Sequence, residues 1–458
     1  MLILRMFHAS ARTEQAQRFA ELRAASPVGW RPLVLPTLEA QAAILAFSPE
    51  GLREAASERP RARETDTVTV DGEIFTDGRS LIAIALKERP LHRRAVRAVG
   101  HAAADVDTEA FVEVAYVSAE LECDALAALC DVTRQRLNID LQPYFYPSES
   151  FERLKTEGRE SPANPTPEEL ASASLLAERP VRTIAIAIKA SGGLLVRDLA
   201  KQLPQDARDQ TDKIQRALRE HGLIDSEIVV VCSKSQSQSA RAPSREVLDA
   251  LSKQGLRCAC GRAIADERIE EALTLTDAGR VLLDKSRWLT VLLQEELRRV
   301  GVPLEHILVE QQVGGDEIDC LAIISGELAL FELKDKEFNL GNAYSFGAKI
   351  GILQPQHPVI IATDGVGGDA KDHFQRAQLA QTTRPRYDPF ETGPAAIRYI
   401  EGVENLHSGI VDLASTIYRD DSVRLLDRIL PLASLSGRSL VRVVQRAGPP
   451  TAGQPLPN

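Results

Sequence analysis

The stretch that most constrains the fold is residues 316–337, DEIDCLAIISGELALFELKDKE. Two apolar runs flank the dipeptide Ser325-Gly326, and a two-residue turn between such runs is typical of a β-hairpin. If these two residues form the loop, Asp319 and Glu332 face each other across the strands. The hairpin therefore brings two carboxylates together among apolar side chains, where a charge without a partner is costly.

Lys334 is expected on the same face, because side chains alternate along a strand and Lys334 follows Glu332 by two residues. Like charges placed directly opposite one another destabilise a hairpin. A divalent cation between Asp319 and Glu332 would relieve that repulsion, and carboxylate oxygens suit Mg²⁺ or Mn²⁺. The alternative is a metal-free network of ion pairs centred on Lys334.

Asp319 and, thirteen residues later, Glu332-Leu333-Lys334 together resemble the motif of the PD-(D/E)XK nuclease superfamily, although no proline precedes the aspartate. The flanking segments fit the family's αβββαβ core over about residues 280–385. They are a helix at 281–300, a strand at LEHILVEQQV, the hairpin, a helix near NAYSFGAKI, a strand at PVIIAT and a helix at DAKDHFQRAQLA.

The resemblance implies a Mg²⁺- or Mn²⁺-dependent endonuclease that hydrolyses phosphodiester bonds, with DNA as the expected substrate and RNA as the alternative. Asp319, Glu332 and Lys334 would be the catalytic residues, and the two carboxylates would hold the metal. The family often adds a glutamate from the first helix. Glu310 is assigned to that metal-binding place here, with Glu295 and Glu296 left open.

The bulk composition limits the classes of protein that the chain can represent. It has 458 residues, 44% apolar and 26% charged, which is typical of a multidomain globular protein. No run of about 18 apolar residues occurs, so no membrane span is expected, and the mixture of helix-like and strand-like segments predicts the α/β class. Six cysteines in so long a chain favour a reducing cytoplasm over a disulfide framework. A net charge of −10 argues against coating nucleic acid through a diffuse positive field, but a local metal site can still meet phosphate.

Changes of pattern along the chain predict five parts. An α/β domain of unknown role comes first, followed by a proline-rich linker and a winged-helix-like region with a degenerate zinc ribbon. A restriction-endonuclease-like domain and a disordered tail complete the chain. The predicted bounds are 1–146, 147–167, 168–275, 276–446 and 447–458.

Two groups of residues are candidates for binding nucleic acid. In winged helices the third helix enters the major groove, and here it would present Lys213, Arg216 and Arg219. Acidic residues on the same helix leave packing or dimerisation as the alternative role. Tyr344 and Lys349, on the helix after the hairpin, could touch a substrate backbone, although their placement favours an ordinary surface position.

Three cysteines resemble a damaged zinc ribbon. Such ribbons offer Cys-x-x-Cys twice, whereas here Ser235 stands where the partner of Cys232 would be, and Cys258 and Cys260 are separated by one residue. Three thiolates with this spacing predict a metal-free remnant, so no zinc is expected.

The combined prediction is a metal-dependent nuclease, with restriction or phage-defence effectors as the analogy. Its expected partners are nucleic acid together with a second copy in a homodimer or partner proteins of a defence system. The alternative is a non-catalytic protein that binds nucleic acid or assembles complexes through the winged helix, with an inactive nuclease fold.

Overall fold

The structure of the protein is a computed structural model. It describes residues 2–45, 48, 68–90, 108–120, 123–143, 149–157, 164–313, 316–382, 396–429 and 441–442. The described chain is mixed α/β with several sheets, as the sequence predicts at the level of class. It divides into two compact units, whereas the sequence suggests three domains. The first is Met1–Glu152 with Ile323–Leu328 and Ser408–Asn458, and the second is Arg153–Ala322 with Ala329–His407.

The first unit contains an antiparallel six-stranded sheet in the order β2-β3-β4-β5-β1-β6. The strands are β1 (Ile3–Ala11), β2 (Arg31–Pro32), β3 (Val68–Thr76), β4 (Leu81–Pro90), β5 (Thr108–Ser118) and β6 (Gln142–Pro143). Alternate apolar residues of the central strands β4 and β5 pack into a core with the helices. These helices are α1 (Thr13–Gln17), α2 (Phe19–Arg23) and α4 (Asp124–Leu137), and the unit also contains α3 (Val34–Leu45).

A buried carboxylate ties α3 to this sheet. Glu73 on β3 is fully buried, and its Oε1 accepts hydrogen bonds from the backbone N–H of Val34 at 2.6 Å and of Ile74 at 2.9 Å. Its Oε2 accepts from Leu35 N at 3.0 Å. The first N–H groups of a helix have no partner within the helix, so Glu73 satisfies donors that burial would otherwise leave unbonded.

Helix α5 (Glu149–Glu157) lies within the expected linker, and both Phe151 and Leu154 are buried. This part of the predicted linker is therefore packed structure, because two apolar residues three positions apart lie on one face of a helical turn. Helix α14 (Leu406–Ile429) ends the described C-terminal region apart from residues 441–442. The predicted tail, 447–458, lies outside the described residues.

The second unit begins with α6 (Pro167–Ala177) and α7 (Arg179–Ser191). Thr166 caps α6: its hydroxyl accepts from Glu169 N at 3.2 Å, and Glu169 accepts from Thr166 N at 3.0 Å. A four-stranded sheet follows in the order β7-β10-β8-β9, together with α8 (Thr211–Glu220), α9 (Arg245–Lys253) and α10 (Asp277–Leu283). Its strands are β7 (Leu194–Leu195), β8 (Ile224–Val231), β9 (Gln238–Ala242) and β10 (Arg268–Leu275).

The helix predicted at 281–300 is broken in the structure. Lys285 and Ser286 adopt left-handed backbone angles, with φ of 48° and 61°, and separate α10 from α11 (Arg287–Arg299). Leu289 and Leu293 of α11 are fully buried. Earlier in this unit, the residues after Gly193 form β7 and two 3-10 helices, Val196–Gln202 and Gln205–Gln210.

A five-stranded sheet follows in the order β11-β12-β13-β14-β15, and its residues belong to the second unit except for Ile323–Leu328 at the turn between β12 and β13. Strands β11 and β12 are antiparallel, whereas β13, β14 and β15 run parallel. From α11 to β14 the elements follow the predicted order α-β-β-β-α-β. Their bounds are β11 (Ile307–Val313), β12 (Asp316–Ile324), β13 (Glu327–Lys334), α12 (Leu340–Leu353) and β14 (His357–Ala362), followed by α13 (Gly368–Thr382) and β15 (Arg398–Glu401).

Short 3-10 helices connect several of these elements, at Ile264–Asp266, Asp284–Ser286, Leu304–His306 and Val403–Asn405. Among the helices that the structure describes, none combines the length and the apolar character needed to cross a membrane.

Candidate active site

The predicted hairpin is present and has the predicted two-residue turn. Ser325 and Gly326 have φ of 51° and 83°, and left-handed angles at both positions match the turn that joins twisted antiparallel strands. Side chains on both faces of β13 are buried from Leu328 to Leu333. A strand that is buried on both faces normally consists of apolar residues throughout, and Glu332 is the charged residue within the buried part of β13.

Asp319, on β12, lies beside β13. Its Oδ2 accepts a hydrogen bond from the backbone N–H of Leu333 at 2.7 Å, and 18% of its side chain is exposed. Its other oxygen, Oδ1, has no hydrogen-bond donor among the residues that the structure describes. Burial, and then the negative charge of Glu332, raise the pKa of Asp319 to about 6, against the opposing effect of Lys334. The two carboxylates therefore interact, as the hairpin register predicts.

Glu332 is buried and bonded through both oxygens. Lys334 Nζ lies 2.8 Å from its Oε1, and Lys349 Nζ lies 2.7 Å from its Oε2. Lys334 Nζ is also 4.0 Å from Asp319 Oδ2, so it stands between the two carboxylates. Burial lowers the pKa of Lys334, but the charges of Asp319 and Glu332 outweigh burial and leave it raised. Lys334 is therefore protonated at neutral pH.

Lys349 is a member of the site that sequence reasoning misplaced. The sequence favours an exposed position, whereas the structure buries Lys349 on α12. The signal was present, since Phe346, Lys349 and Leu353 are spaced to share one face of a helix and all three are buried. A lysine in an apolar helical stripe needs a buried anion, and Glu332 provides one.

The expected third carboxylate is not brought to the pair by any contact in the structure. Glu310 lies on β11 between Val309, paired with Cys320, and Gln311, paired with Ile318, so the register places it opposite Asp319. Its backbone is left-handed, with φ of 53°, and its carboxylate lies 3.1 Å from Arg287 Nη1.

The two other glutamates that the sequence left open are also engaged elsewhere. Glu296 binds Arg299 and His407, each at 2.7 Å. Glu295 binds Arg298 at 3.1 Å and Arg299 at 3.3 Å. Of the three candidates, Glu310 is the one that the strand register places beside Asp319.

The residues predicted to contact nucleic acid differ in exposure and in their contacts within the protein. Lys213 and Arg216 are exposed on α8, which leaves both side chains accessible to a ligand. Arg219 instead donates to Ser226 and Glu271 within the protein. Tyr344 is 61% exposed on α12, and its ring packs edge-on against His373 at 4.6 Å between centroids.

The donor set suits a hard divalent cation. Two carboxylates lie together, and one of their oxygens, Asp319 Oδ1, has no donor among the described residues, so it is available as a ligand. Two lysines, Lys334 and Lys349, balance the charge of the two carboxylates. The same geometry is therefore consistent with an ion-pair network and with a site that can bind a metal ion.

No family model matches the chain, and no curated protein matches it. Two solved structures show similarity. Protein VC1899 from Vibrio cholerae is 13% identical to this chain, with a TM-score of 0.29. The matched region covers 60% of this chain and 63% of VC1899. A protein of unknown function, AF1548, is 16% identical with a TM-score of 0.19, covering 35% of this chain and 94% of that one. Likeness at these scores carries no argument about function.

Proposed function

We propose that the protein is a metal-dependent nuclease whose active site is formed by Asp319, Glu332 and Lys334. The observation that supports this proposal most strongly is the pairing of a buried carboxylate, Glu332, with the mostly buried carboxylate of Asp319 on one hairpin, with an ammonium group between them. A purely structural hairpin has little reason to hold Asp319 where burial and Glu332 both oppose its ionisation.

Asp319 and Glu332 would hold Mg²⁺ or Mn²⁺, and Glu310 is the further carboxylate that the strand register places nearest to them. A divalent cation bound there polarises a phosphodiester and lowers the pKa of an attacking water. Glu310 would have to leave Arg287 to take part, since its carboxylate lies 3.1 Å from Arg287 Nη1.

The lysines have different tasks in this proposal. Lys334 is protonated and half-buried, so its ammonium group can stabilise negative charge that develops on a phosphate. Lys349 is buried and bonded to the far oxygen of Glu332, which makes it a positioning residue. It fixes the direction of the Glu332 carboxylate and balances its charge.

The nucleic acid is proposed to be DNA, with RNA as the alternative. We assign the elements from α11 to β14 to a restriction-endonuclease-like core, and α7, α8 and the sheet of β7 to β10 to a winged-helix-like module. The exposed Lys213 and Arg216 would meet phosphates. A cytoplasmic role in restriction or phage defence, with or without partner proteins, completes the proposal by analogy.

A second candidate function rests on one observation. Both oxygens of Glu332 are bonded to lysines, so the site is already neutralised without a metal. In that case the fold is a non-catalytic scaffold for nucleic acid or partner proteins, and the four charges stabilise the sheet.

The test is a cleavage assay with the purified full chain. Labelled single-stranded and duplex DNA and RNA are each incubated with Mg²⁺, with Mn²⁺ or with EDTA. Nuclease activity predicts products with at least one substrate in a divalent ion and none in EDTA. The scaffold predicts binding without products under every condition, and that result would reject the nuclease proposal.

A further inference from the structure

A second cluster of ligating groups lies in the second unit, where the sequence predicts a metal-free ribbon remnant. The thiols of Cys232, Cys258 and Cys260 and the carboxylate of Glu267 offer ligand atoms that all lie within 4.8 Å of one another. The three cysteines are recognisable as candidate ligands in the sequence. Glu267, which supplies the fourth group, is not.

The β-sheet explains why these residues meet. Strands β8 and β10 pair with Val231 opposite Arg268, and the next step of the same register places Cys232 opposite Glu267. The thiol of Cys260 donates to Glu267 Oε1 at 2.9 Å. Cys232 and Glu267 are therefore neighbours at the end of the β8–β10 pair. The loop between α9 and β10 contains Cys258 and Cys260.

Two tight turns present the cysteines in similar ways. After Cys232, Gln236 N donates to Cys232 O at 2.8 Å, and Gln236 has a left-handed φ of 58°. After Cys258, Gly261 N donates to Cys258 O at 2.8 Å, and Gly261 has φ of 91°. Each turn therefore reverses the chain directly after a cysteine, Cys232 in one and Cys258 in the other.

Groups around the cluster favour charged ligands. Ser235 N donates to Cys232 Sγ at 3.4 Å, and Ser239 Oγ lies 3.1 Å from Cys258 Sγ. Ser233 N donates to Glu267 Oε2 at 2.6 Å. Donors of this kind stabilise thiolates and carboxylates and fix their direction, as the outer partners of metal ligands do.

We propose that Cys232, Cys258, Cys260 and Glu267 form a structural zinc site that joins the end of the β8–β10 pair to the loop before β10. Structural zinc takes four ligands in a tetrahedron, with Zn–S of about 2.3 Å and Zn–O of about 2.0–2.2 Å. Ligand atoms around such an ion lie roughly 3.3–3.8 Å apart, so a contraction of about 1 Å closes this cluster. Cys232, Cys258 and Glu267 are buried, which suits a closed structural site.

Ser235 does not provide the fourth ligand, although it occupies the position of a ribbon cysteine. Its hydroxyl lies 2.6 Å from that of Ser237. The site is therefore independent of the missing cysteine. It is also independent of the proposed nuclease, since none of its residues belongs to the Asp319–Glu332 pair.

The test measures the zinc content of the full chain, purified under reducing conditions. The wild type should hold about one zinc per chain, and Cys258→Ser and Glu267→Gln should lose most of it. Two matched controls should retain it: Cys130→Ser, which changes a thiol outside the cluster, and Glu271→Gln, which changes a carboxylate on β10 that binds Arg219.

A second readout separates lost ligation from lost folding. Metal-stripped wild type titrated with Co²⁺ should develop the thiolate charge-transfer and tetrahedral absorption bands, and Glu267→Asp, which keeps a carboxylate, should retain zinc better than Glu267→Gln. A wild type that takes up neither zinc nor cobalt would overturn the proposal. Zinc that persists in both Cys258→Ser and Glu267→Gln would also overturn it, because the ion would then lie elsewhere.

Discussion

Replacing Asp319 by Asn tests the electrostatics of the candidate active site without removing the shape of the side chain. The pKa of Asp319 is raised from its ordinary 3.8 to about 6, first by burial and then by Glu332. A raised carboxyl pKa means that ionisation destabilises the folded state. At about 1.4 kcal/mol per pH unit, the metal-free protein loses about 3 kcal/mol above pH 6. This cost falls as the pH drops from 6 towards 3.8, and it is absent below that.

Asparagine resembles the protonated aspartic acid, so Asp319→Asn in EDTA at pH 8 should unfold at a higher temperature than the wild type. For a domain of 150–250 residues, each kcal/mol changes the melting temperature by about 2–4 °C, so a cost of about 3 kcal/mol corresponds to a gain of about 6–12 °C at most. The gain should shrink as the pH approaches 4. Mn²⁺ should stabilise the wild type by binding the folded state alone and should stabilise Asp319→Asn much less.

Scanning calorimetry at pH 8 and near pH 4, with EDTA or Mn²⁺, measures all of these effects. Asn342→Asp is a useful control for a change of one charge, because Asn342 lies in the first turn of α12, where its Oδ1 accepts from Asn339 N, and it does not contact the carboxylate pair. A wild type indifferent to Mn²⁺, together with an Asp319→Asn variant that melts clearly lower in EDTA at pH 8, would refute the reasoning. It would favour the ion-pair network instead.

Three further predictions follow from named contacts. Glu332→Gln should abolish cleavage while circular dichroism stays native, whereas the exposed Glu337→Gln should cleave like the wild type; equal rates for the two variants would contradict the site. Lys349→Met leaves Glu332 with Lys334 as its one remaining lysine partner and should cost about 3–5 kcal/mol in urea unfolding; an unchanged unfolding midpoint would contradict this. Glu73→Ala leaves buried N–H groups at the start of α3 unbonded and should cost roughly 1–3 kcal/mol; amide exchange at Val34 and Leu35 that stays as slow as in the wild type would argue against this role.

Local chemistry made the hairpin predictable. Ser325-Gly326 between two apolar runs specifies a two-residue turn, and the turn alone places Asp319 beside Glu332. Helical spacing also carried the information that Lys349 is buried, through its alignment with Phe346 and Leu353, but a lone lysine gives no hint of its partner until the hairpin and the helix are placed together.

Features that depend on distant pairing or on single backbone angles were not predictable. Glu267 meets Cys232 because β8 pairs with β10, and β10 lies 37 residues beyond β8 along the chain. The break between α10 and α11 falls at Lys285 and Ser286, neither of which is a glycine or proline that would mark it. The left-handed backbone of Glu310 likewise has no sequence signal.

The most direct test of the central claim compares Lys334→Met with Lys336→Met in the same cleavage assay. Lys334 stands between the two carboxylates, whereas Lys336 is an exposed lysine two residues further along the chain. With the best substrate and Mg²⁺ or Mn²⁺, Lys334→Met should lose nearly all cleavage while remaining folded, and Lys336→Met should cleave at close to the wild-type rate. Cleavage by folded Lys334→Met at the rate of Lys336→Met would contradict the assignment of this hairpin as a nuclease active site.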